Sequence, residues 1–250
     1  MSGHSKWASI KHKKGALDAK RGQLFSKLIK EITVAAKNGG GSFDTNIRLR
    51  VAVDRAKQAN MPGDNIDKAI KRGTGALPGI VIEEVSYEGY APGGVAVLVE
   101  VTSDNKNRTS AEIRNIFSKK NGNMAGAGAV SWLFTRKGFI TVAKSDAKED
   151  DLLNVSLEAG AEDFKSEAEE YEIITPTDAF EKVKDAITKH NIKIASSEIT
   201  SLPSNTVKIT DEDTARKILE LVEQLEDHDD VQHVYANFDI PDEIIQKISA

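Results

Sequence analysis

The N-terminal residues concentrate side chains that could bind an anion. The stretch GHSKWASIKHKKGALDAKRG, residues 3–22, is rich in lysine and also carries a tryptophan and two histidines. Lysine and arginine supply the phosphate contacts that dominate affinity for nucleic acids, and an aromatic ring can stack on an unpaired base. The candidate nucleic-acid-binding residues of this stretch are Lys6, Trp7, Lys11, His12, Lys13, Lys14, Lys20 and Arg21. A solvated tail is the alternative interpretation of the stretch, and a plug in a helical core is the alternative for Trp7.

The formal net charge of −5 conceals an uneven distribution of charge along the chain. Residues 1–75 contain 16 Lys and Arg against 6 Asp and Glu, whereas the remaining residues contain 18 against 33. A basic part joined to an acidic part indicates that the basic part contacts nucleic acid. We therefore predict that most nucleic-acid affinity resides in the N-terminal part.

A long amphipathic helix is predicted to begin within the last residues of this stretch. Apolar residues recur at three- and four-residue spacing from Ala16 to Asn38, and three glycines then end the pattern. Lys27, Lys30 and Lys37 fall on the side opposite the apolar stripe, so we expect their ammonium groups to face solvent or an anion. Lys27 and Lys30 accordingly join the candidate binding residues.

Two shorter helices are predicted to follow. The second helix starts after Asp44 or Thr45, either of which could cap it, and ends at the break formed by residues 60–62. The third helix runs over residues 64–72. Residues 1–75 are therefore predicted to form a basic helical domain, which a glycine-containing linker separates from the rest of the chain.

The turn between the second and third helices is a further candidate phosphate site. Its basic residues are Lys57, Lys68, Lys71 and Arg72. Backbone N–H groups at a helix N-terminus can hold a phosphate, but a simple connection between helices explains the same residues equally well. The third helix lacks a cluster of Arg, Asn or Gln at its start, so the pattern does not support a DNA recognition helix.

Beyond the linker the pattern changes to strands that alternate with helices. Strands are predicted at 93–101 and 128–134, separated by a helix that Asp104 or Asn105 could cap. Residues 136–204 then have the order β-α-β-β-α-β, which is typical of a ferredoxin-like unit. Residues 80–135 form only half of a similar α+β unit. Residues 205–250 are predicted to supply the missing half, with a strand, a long helix and a last strand.

These segments predict an α+β protein of three domains. An N-terminal helical bundle domain, residues 1–75, is followed by two ferredoxin-like α+β domains, the second inserted into the first. The first of these is discontinuous and comprises residues 80–135 and 205–250, and the inserted one comprises residues 136–204.

Two segments of the discontinuous domain are candidate functional loops. Their residues of interest are Gly89, Tyr90, Pro92 and Gly93 in EGYAPGGVAV, and Asn105, Lys106, Asn107 and Arg108 in SDNKNRT. The first segment lacks the Lys-Ser/Thr of a phosphate-binding loop, so a structural turn is the favoured interpretation. The second segment places several polar side chains at a strand-to-helix corner, where they could bind RNA or a protein backbone. Helix capping explains only one of these side chains.

Residue types needed for catalysis or metal binding are sparse. The chain has no cysteine, and none of its five histidines stands at a metal-ligand spacing such as HExxH. The acidic run EDHDD, residues 226–230, is interpreted as a solvated surface. We predict no catalytic residue, no cofactor and no metal. The sequence also lacks a membrane-spanning apolar run and a signal-peptide pattern, so we expect a cytoplasmic protein.

Long motifs in a fixed order resemble the YebC family. They are GHSKWASIKHKK, DAKRGQLFSKLIKEI, AKQANMPGDNIDKAIKRGTG, YEGYAPGGVAVLVEVTSDNKNRT and SKKNGNMAGAGAVSWLF. The similarity runs from residue 3 to about residue 240. Two departures lie in turns: Ala91-Pro92 stands where the family often has Gly-Pro, and Ser42-Phe43-Asp44 stands where an Asp-Pro pair is usual.

The resemblance implies a three-domain, cytosolic, non-enzymatic protein. The family is labelled as DNA-binding transcriptional regulators and is also described as translation factors that act at the ribosome. The leading hypothesis is a factor that binds rRNA on the ribosome through the basic domain, with ribosomal proteins as further partners. A DNA-binding transcriptional regulator is the alternative, and a protein-interaction scaffold is a third interpretation. The oligomeric state is left open.

Overall fold

The computed structural model describes residues 19–79 and 81–249. The described helices are α1 (Ala19–Gly39), α2 (Ile47–Gln58), α3 (Gly63–Gly73), α4 (Lys106–Lys119), α5 (Glu149–Ala159), α6 (Phe180–Lys189), α7 (Glu212–Glu226) and α8 (Asp242–Ser249). The described strands are β1 (Glu83–Ala91), β2 (Val95–Ser103), β3 (Asn123–Ala125), β4 (Phe134–Ala143), β5 (Asp163–Ser166), β6 (Glu170–Thr175), β7 (Ser196–Pro203), β8 (Val207–Lys208), β9 (Val231–Ala236) and β10 (Phe238–Asp239). Residues 132–206 form one compact unit, and the other described residues form a second.

Helices α1, α2 and α3 pack around a common apolar core, as the periodicity predicts. The buried residues of this core are Leu28, Ile32, Ala35, Ala36, Leu49, Ala52, Val53, Ala56, Met61, Ile66 and Ala69. Where α3 ends, a Cβ added to Gly73 would lie 2.3 Å from the carbonyl oxygen of Thr33. Only glycine therefore permits the close approach of α3 to α1 at this point.

The cap of α2 is Asn46, so the expectation of Asp44 or Thr45 is wrong. The Asn46 side-chain oxygen accepts from the N–H of Leu49 at 3.0 Å. Its amide group donates to the carbonyls of Ala35 at 2.8 Å and Gly40 at 2.7 Å. One buried amide thus satisfies the N-terminus of α2 and two carbonyls at the end of α1 with three hydrogen bonds, which a carboxylate or a hydroxyl could not make in this combination.

The same unit contains an antiparallel sheet of order β3-β1-β2-β9 and a short parallel pair of β8 with β10. Alternate valines of β2 enter a core that α4 and α7 cover, with Phe117 and Leu221 fully buried in it. The chain enters this sheet through β1, β2 and β3, and it supplies the last strand, β9, only after residue 206, together with α7.

The unit of residues 132–206 has the predicted β-α-β-β-α-β order, with a sheet of order β5-β6-β4-β7. All three strand pairings are antiparallel, and β6 lies between β4 and β5, as in a split βαβ unit. Helices α5 and α6 cover one face, around buried Ile140, Ile173 and Val183. The structure confirms the α+β class.

Several local features of the structure differ from the prediction, and the short strand β3 is one that was not predicted. Residues 128–134 do not form one strand, because 131–133 form a 3-10 turn and Phe134 already belongs to β4. Strand β1 is not among the predicted elements, since its glycine and the following Pro-Gly-Gly favour a loop. The terminal helix α8 is likewise absent from the prediction. The division into three domains stays a prediction. Among the described residues, no helix is long and apolar enough to cross a membrane.

Candidate nucleic-acid interface

The opening stretch lies largely outside the part of the chain that the structure describes. Lys6, Trp7, Lys11, His12, Lys13 and Lys14 precede residue 19, and the side chains of Lys20 and Arg21 are likewise outside the description. Their assignment to nucleic-acid binding stays a prediction from the sequence. The described part of the candidate interface consists of basic residues on α1, α2 and α3.

Four exposed basic side chains, here called the α2–α3 cations, lie on the surface of the helical segment. They are Lys57, Lys68, Lys71 and Arg72. Helix α3 buries Ile66 and Ala69, so its cations point away from the helical core. None of the four has an ion-pair or side-chain hydrogen-bond partner among the described residues. Their charges are therefore available for phosphates, although Asp64 and Asp67 share the same helix.

Helix α3 begins at the Pro-Gly turn that the sequence predicts. Pro62 is its N-cap residue and provides no side-chain cap. The Pro62 carbonyl accepts from the N–H groups of Asn65 at 3.0 Å and Ile66 at 3.4 Å. The first turn carries Asp64, a carboxylate that interacts favourably with the helix N-terminus itself. Both interpretations of this turn, a phosphate site and a simple connection, stay predictions.

Lys27 and Lys30 do not present free ammonium groups to solvent, so that part of the expectation is wrong for them, whereas Lys30 does face an anion, the Asp230 carboxylate of this chain. Lys27 Nζ donates to the carbonyl of Glu226 at 2.6 Å. Lys30 Nζ donates to the carbonyl of Asp229 at 3.0 Å and to the Asp230 carboxylate at 2.5 Å. The face of α1 opposite its apolar stripe thus packs against the loop between α7 and β9. Phosphate binding by these lysines would require those bonds to break.

Asp230 is the centre of a buried polar cluster. Its side chain is 6% exposed and accepts hydrogen bonds from Lys30, Arg108 (3.1 Å), Thr109 (2.6 Å) and Ser103 (3.2 Å). Burial by itself would raise the pKa of this carboxyl, but the bonds from Lys30, Thr109 and Arg108 outweigh burial and hold the pKa well below the ordinary Asp value. The interpretation of the EDHDD run as wholly solvated is therefore wrong at its last residue.

The strand-to-helix corner lies at the start of α4 and is mostly explained by local contacts. Asn105 is the N-cap, as predicted, and accepts from the N–H of Arg108 at 3.1 Å. Lys106 pairs with Glu83 at 3.0 Å, and Arg108 pairs with Asp104 at 2.8 Å in addition to Asp230. Asn107 is exposed. The corner therefore serves first to join α4 to the Asp230 cluster.

Residues 89–93 form the end of a hairpin, in agreement with the structural-turn interpretation. Gly89 and Tyr90 belong to β1, whereas Pro92 and Gly93 belong to the turn that leads into β2. A Cβ on Gly89 would lie 2.7 Å from the Phe117 ring, so the core of the unit requires glycine there. Gly93 has φ near +76°, a left-handed conformation that favours glycine.

A buried carboxylate that is not among the predicted site residues organises the loop after β3. Glu88 accepts from the N–H groups of Gly128 at 2.8 Å, Val130 at 2.6 Å and Ser131 at 2.8 Å. Although burial opposes its ionisation, these backbone bonds lower the pKa of Glu88 below its usual value. Because the N–H groups bind this carboxylate, residues 128–131 cannot join a sheet ladder. Trp132 follows directly and is 71% exposed.

One group of three potential metal ligands occurs in the described part of the chain, and hydrogen bonds already engage it. Glu112, His228 and Asp230 place ligand atoms within 4.8 Å of one another. His228 Nε2 lies 2.9 Å from the Glu112 carboxylate, and its Nδ1 accepts from the Asp230 N–H at 3.1 Å. Lys30 and Arg108 bring two cations to the Asp230 carboxylate. The group is therefore interpreted as part of the Asp230 cluster.

These observations define a class, namely a multidomain α+β protein with exposed cations on an N-terminal helical segment. Residues 5–76 match the TACO1/YebC protein N-terminal domain, and residues 82–238 match the TACO1/YebC second and third domain. The chain belongs to the TACO1/YebC family.

Relatives and a solved structure match over nearly the full chain. A "Probable transcriptional regulatory protein" of Dictyoglomus turgidum is 57% identical over 250 residues, covering 100% of both chains. One of Geobacter sulfurreducens is 56% identical, covering 99% of this chain and 100% of its own. The crystal structure of a conserved hypothetical protein from Aquifex aeolicus is 51% identical, covers 96% of this chain and 99% of its own, and has a TM-score of 0.84. The names of the curated relatives describe regulatory proteins and not enzymes.

Proposed function

We propose that this protein is a nucleic-acid-binding regulator of gene expression that acts in translation by binding rRNA on the ribosome. The observation that carries the proposal is the set of exposed α2–α3 cations, which have no ion-pair partner among the described residues. The lysine-rich opening stretch adds further candidate phosphate contacts from the sequence. Phosphate contacts and shape suffice to recognise structured RNA, and both can come from such a surface. The setting would be cytoplasmic, with ribosomal proteins as neighbouring partners.

A DNA-binding transcriptional regulator is the second candidate, and the names of the relatives favour it. Such a protein reads bases with Arg, Asn or Gln near the start of a recognition helix. At the start of α2, the guanidinium groups of Arg48 and Arg50 are bound to the Glu84 carboxylate and the Phe43 carbonyl. The first turn of α3 carries Asp64 instead. The arginines of α2 thus already bind groups of this chain, and the start of α3 has no such set, which favours RNA over a base-read DNA site.

We expect the four α2–α3 cations to bind phosphates with low sequence specificity. Replacing Lys57, Lys68, Lys71 and Arg72 together with Gln should weaken binding to unrelated structured RNAs to a similar degree. The slope of log affinity against log salt should become shallower by roughly 0.7–0.9 for each phosphate that the variant no longer neutralises. Fluorescence anisotropy with labelled RNA hairpins over a salt series measures both quantities.

A matched control removes equal charge from the other unit. Lys148, Lys182, Lys189 and Lys193 are exposed in the unit of residues 132–206, and their joint replacement with Gln defines the control variant. The control should leave affinity and salt slope close to those of the unmodified protein. Equal losses of affinity in both variants would contradict a role for the α2–α3 cations beyond overall charge.

A further inference from the structure

Strand β7 lies at one edge of the sheet in the unit of residues 132–206. The sheet order β5-β6-β4-β7 gives β7 a single neighbour, β4, among the described strands. The two strands pair in an unbroken antiparallel register, from Phe134 with Pro203 to Thr141 with Ser196. The other side of β7 therefore presents a continuous row of backbone groups that no described strand covers.

The register determines which backbone groups of β7 point away from β4. The N–H of Ser204 donates to the carbonyl of Leu133 at 2.8 Å, in the same register as the strand pair. Residues that bond to the neighbouring strand alternate along an antiparallel pair with residues that do not. The even-numbered residues of β7 therefore bond to β4, whereas Ser197, Ile199 and Ser201 direct their N–H and C=O groups outward. Within the described part of the chain, these outward groups have no hydrogen-bond partner.

Strand β7 lacks most of the features that keep an edge strand from pairing with another chain. Natural edge strands are commonly short or bulged, or they carry lysine or proline. Strand β7 has eight residues, no bulge and no lysine, and its one proline is the last residue, Pro203. The opposite edge, β5, has four residues and carries Asp163 and Lys165. Of these two edges, β7 is thus the one suited to pairing.

The side chains of β7 complement a second copy of the same strand. Ile199 is 41% exposed, and Glu198 is the only charged residue of the strand. In an antiparallel pairing centred on Ile199, this side chain packs beside the partner's Ile199. Glu198 then lies opposite the partner's Thr200, so like charges do not face each other.

The backbone groups match in the same pairing. A centre at Ile199 sets Ser197 opposite the partner's Ser201, so every outward residue meets an outward residue and can exchange two hydrogen bonds with it. Ser201 is the least accessible of the three, at 9% exposed, and the bonds of Ile199 are therefore the central ones. A centre at Thr200 would instead set Ser197 opposite the partner's Pro203, which has no N–H to donate.

We propose that two copies of this chain associate through their β7 strands, about a twofold axis at Ile199. The two four-stranded sheets then continue as one sheet across the interface. The row of alternating N–H and C=O groups selects an extended polypeptide rather than a nucleic acid. Its self-complementary register, with Ile199 at the centre, is what an isologous contact between identical chains requires.

Disulfide cross-linking tests the proposed register. The chain has no cysteine, so Ile199→Cys introduces a single thiol. Directly opposite, hydrogen-bonded residues have Cα atoms about 5.5 Å apart, which a disulfide can span. Oxidation with diamide, which takes up the two thiol hydrogens, should convert most of this full-length variant into a covalent dimer on non-reducing gels.

Two cysteine variants serve as controls for this cross-link. Glu198→Cys places its thiol on the same strand, but it is only a diagonal neighbour of its mate, at a Cα separation of about 7–8 Å or more. Leu157→Cys places a thiol at a 49% exposed position of α5 in the same unit. Both variants should remain largely monomeric on the same gels.

Sedimentation equilibrium measures the association without a covalent bond. We expect the unmodified full-length protein to dimerise with rising concentration over roughly 5–200 µM, as is typical of a small interface. Ile199→Lys should weaken the dimer about tenfold or more, because the two introduced ammonium groups would face each other. An equimolar mixture of Ile199→Lys and Ile199→Glu should recover the association, because opposite charges then meet.

Leu157→Lys is the matched control for the charge variants, and circular dichroism melting verifies that every variant folds. Three results would overturn the proposal. They are an unmodified protein that stays monomeric over the whole concentration range, equal association of Ile199→Lys and Leu157→Lys, and no more cross-linking of Ile199→Cys than of the two control thiols. Failure of the mixture to recover association would contradict the twofold centre at Ile199.

Discussion

Replacement of Asp230 with Ala is expected to lower the free energy of unfolding by about 2–4 kcal/mol, because it breaks a buried, charged hydrogen-bond cluster. The carboxylate accepts hydrogen bonds from Lys30 on α1 and from Arg108 and Thr109 on α4. Its removal leaves those donors without their shared acceptor and breaks a direct ionic tie between the helical segment and the sheet. Chemical denaturation measures the change.

Asp229→Ala is the matched control for this replacement. Asp229 is the neighbouring residue in the same loop and is exposed, and Lys30 binds its backbone carbonyl, which the substitution keeps. We expect Asp229→Ala to change the free energy of unfolding by less than about 0.5 kcal/mol, as for ordinary surface positions. Equal effects of the two substitutions would show that the cluster contributes no specific stability.

The low pKa of Asp230 also predicts how stability changes with pH. The folded pKa lies below the value of the unfolded chain, so the ionic stabilisation is complete above the ordinary Asp range, near pH 4. It is lost as the pH falls through that range toward the folded pKa. The Asp230→Asn variant has no titratable group at this position, so protonation cannot weaken the cluster. Its free energy of unfolding should therefore fall less steeply between about pH 5 and pH 2 than that of the unmodified protein. Parallel curves of unfolding free energy against pH for the two proteins would contradict the low pKa of Asp230.

The Asp230 cluster also shows what the sequence could and could not predict. Apolar periodicity correctly identifies the face of α1 that packs against α2 and α3. It cannot reveal that the opposite face packs too, against a loop about 200 residues away, because that contact uses lysines and backbone carbonyls. A pattern rule therefore assigns Lys27 and Lys30 to solvent. Asp230 looks equally solvated within an acidic run, since only the fold brings donors to it.

Polar side chains that bind backbone groups account for the other differences between sequence and structure. Asp44 and Thr45 stand beside Asn46 and are equally good caps by residue type, whereas the two additional bonds of Asn46 to α1 depend on tertiary contact. Glu88 lies in an inconspicuous YEGY stretch, yet its capture of three N–H groups prevents the apolar run at 128–134 from forming a strand. Segments with strong periodicity and short turns, such as the β-α-β-β-α-β unit, are predicted well.

Neutralising the opening stretch should cause the largest loss of nucleic-acid binding. Replacing Lys11, Lys13, Lys14 and Arg21 together with Gln removes four candidate phosphate-binding side chains. We expect the affinity for structured RNA to fall more than tenfold at low salt, and the salt slope to become shallower by about three units if each side chain neutralises one phosphate. The four-lysine Gln variant of the 132–206 unit again serves as the control, and an unchanged salt slope would show that the stretch is a solvated tail.

We propose that the target of this protein is ribosomal RNA rather than a DNA sequence. It is tested most directly by measuring, at physiological salt, the binding of the full-length protein to purified ribosomes and to a randomised duplex DNA library. We predict ribosome association that survives at this salt, together with weak duplex binding that selects no sequence. Recovery of one tightly bound, base-specific DNA motif, with no ribosome association, would contradict the account and establish the transcriptional alternative.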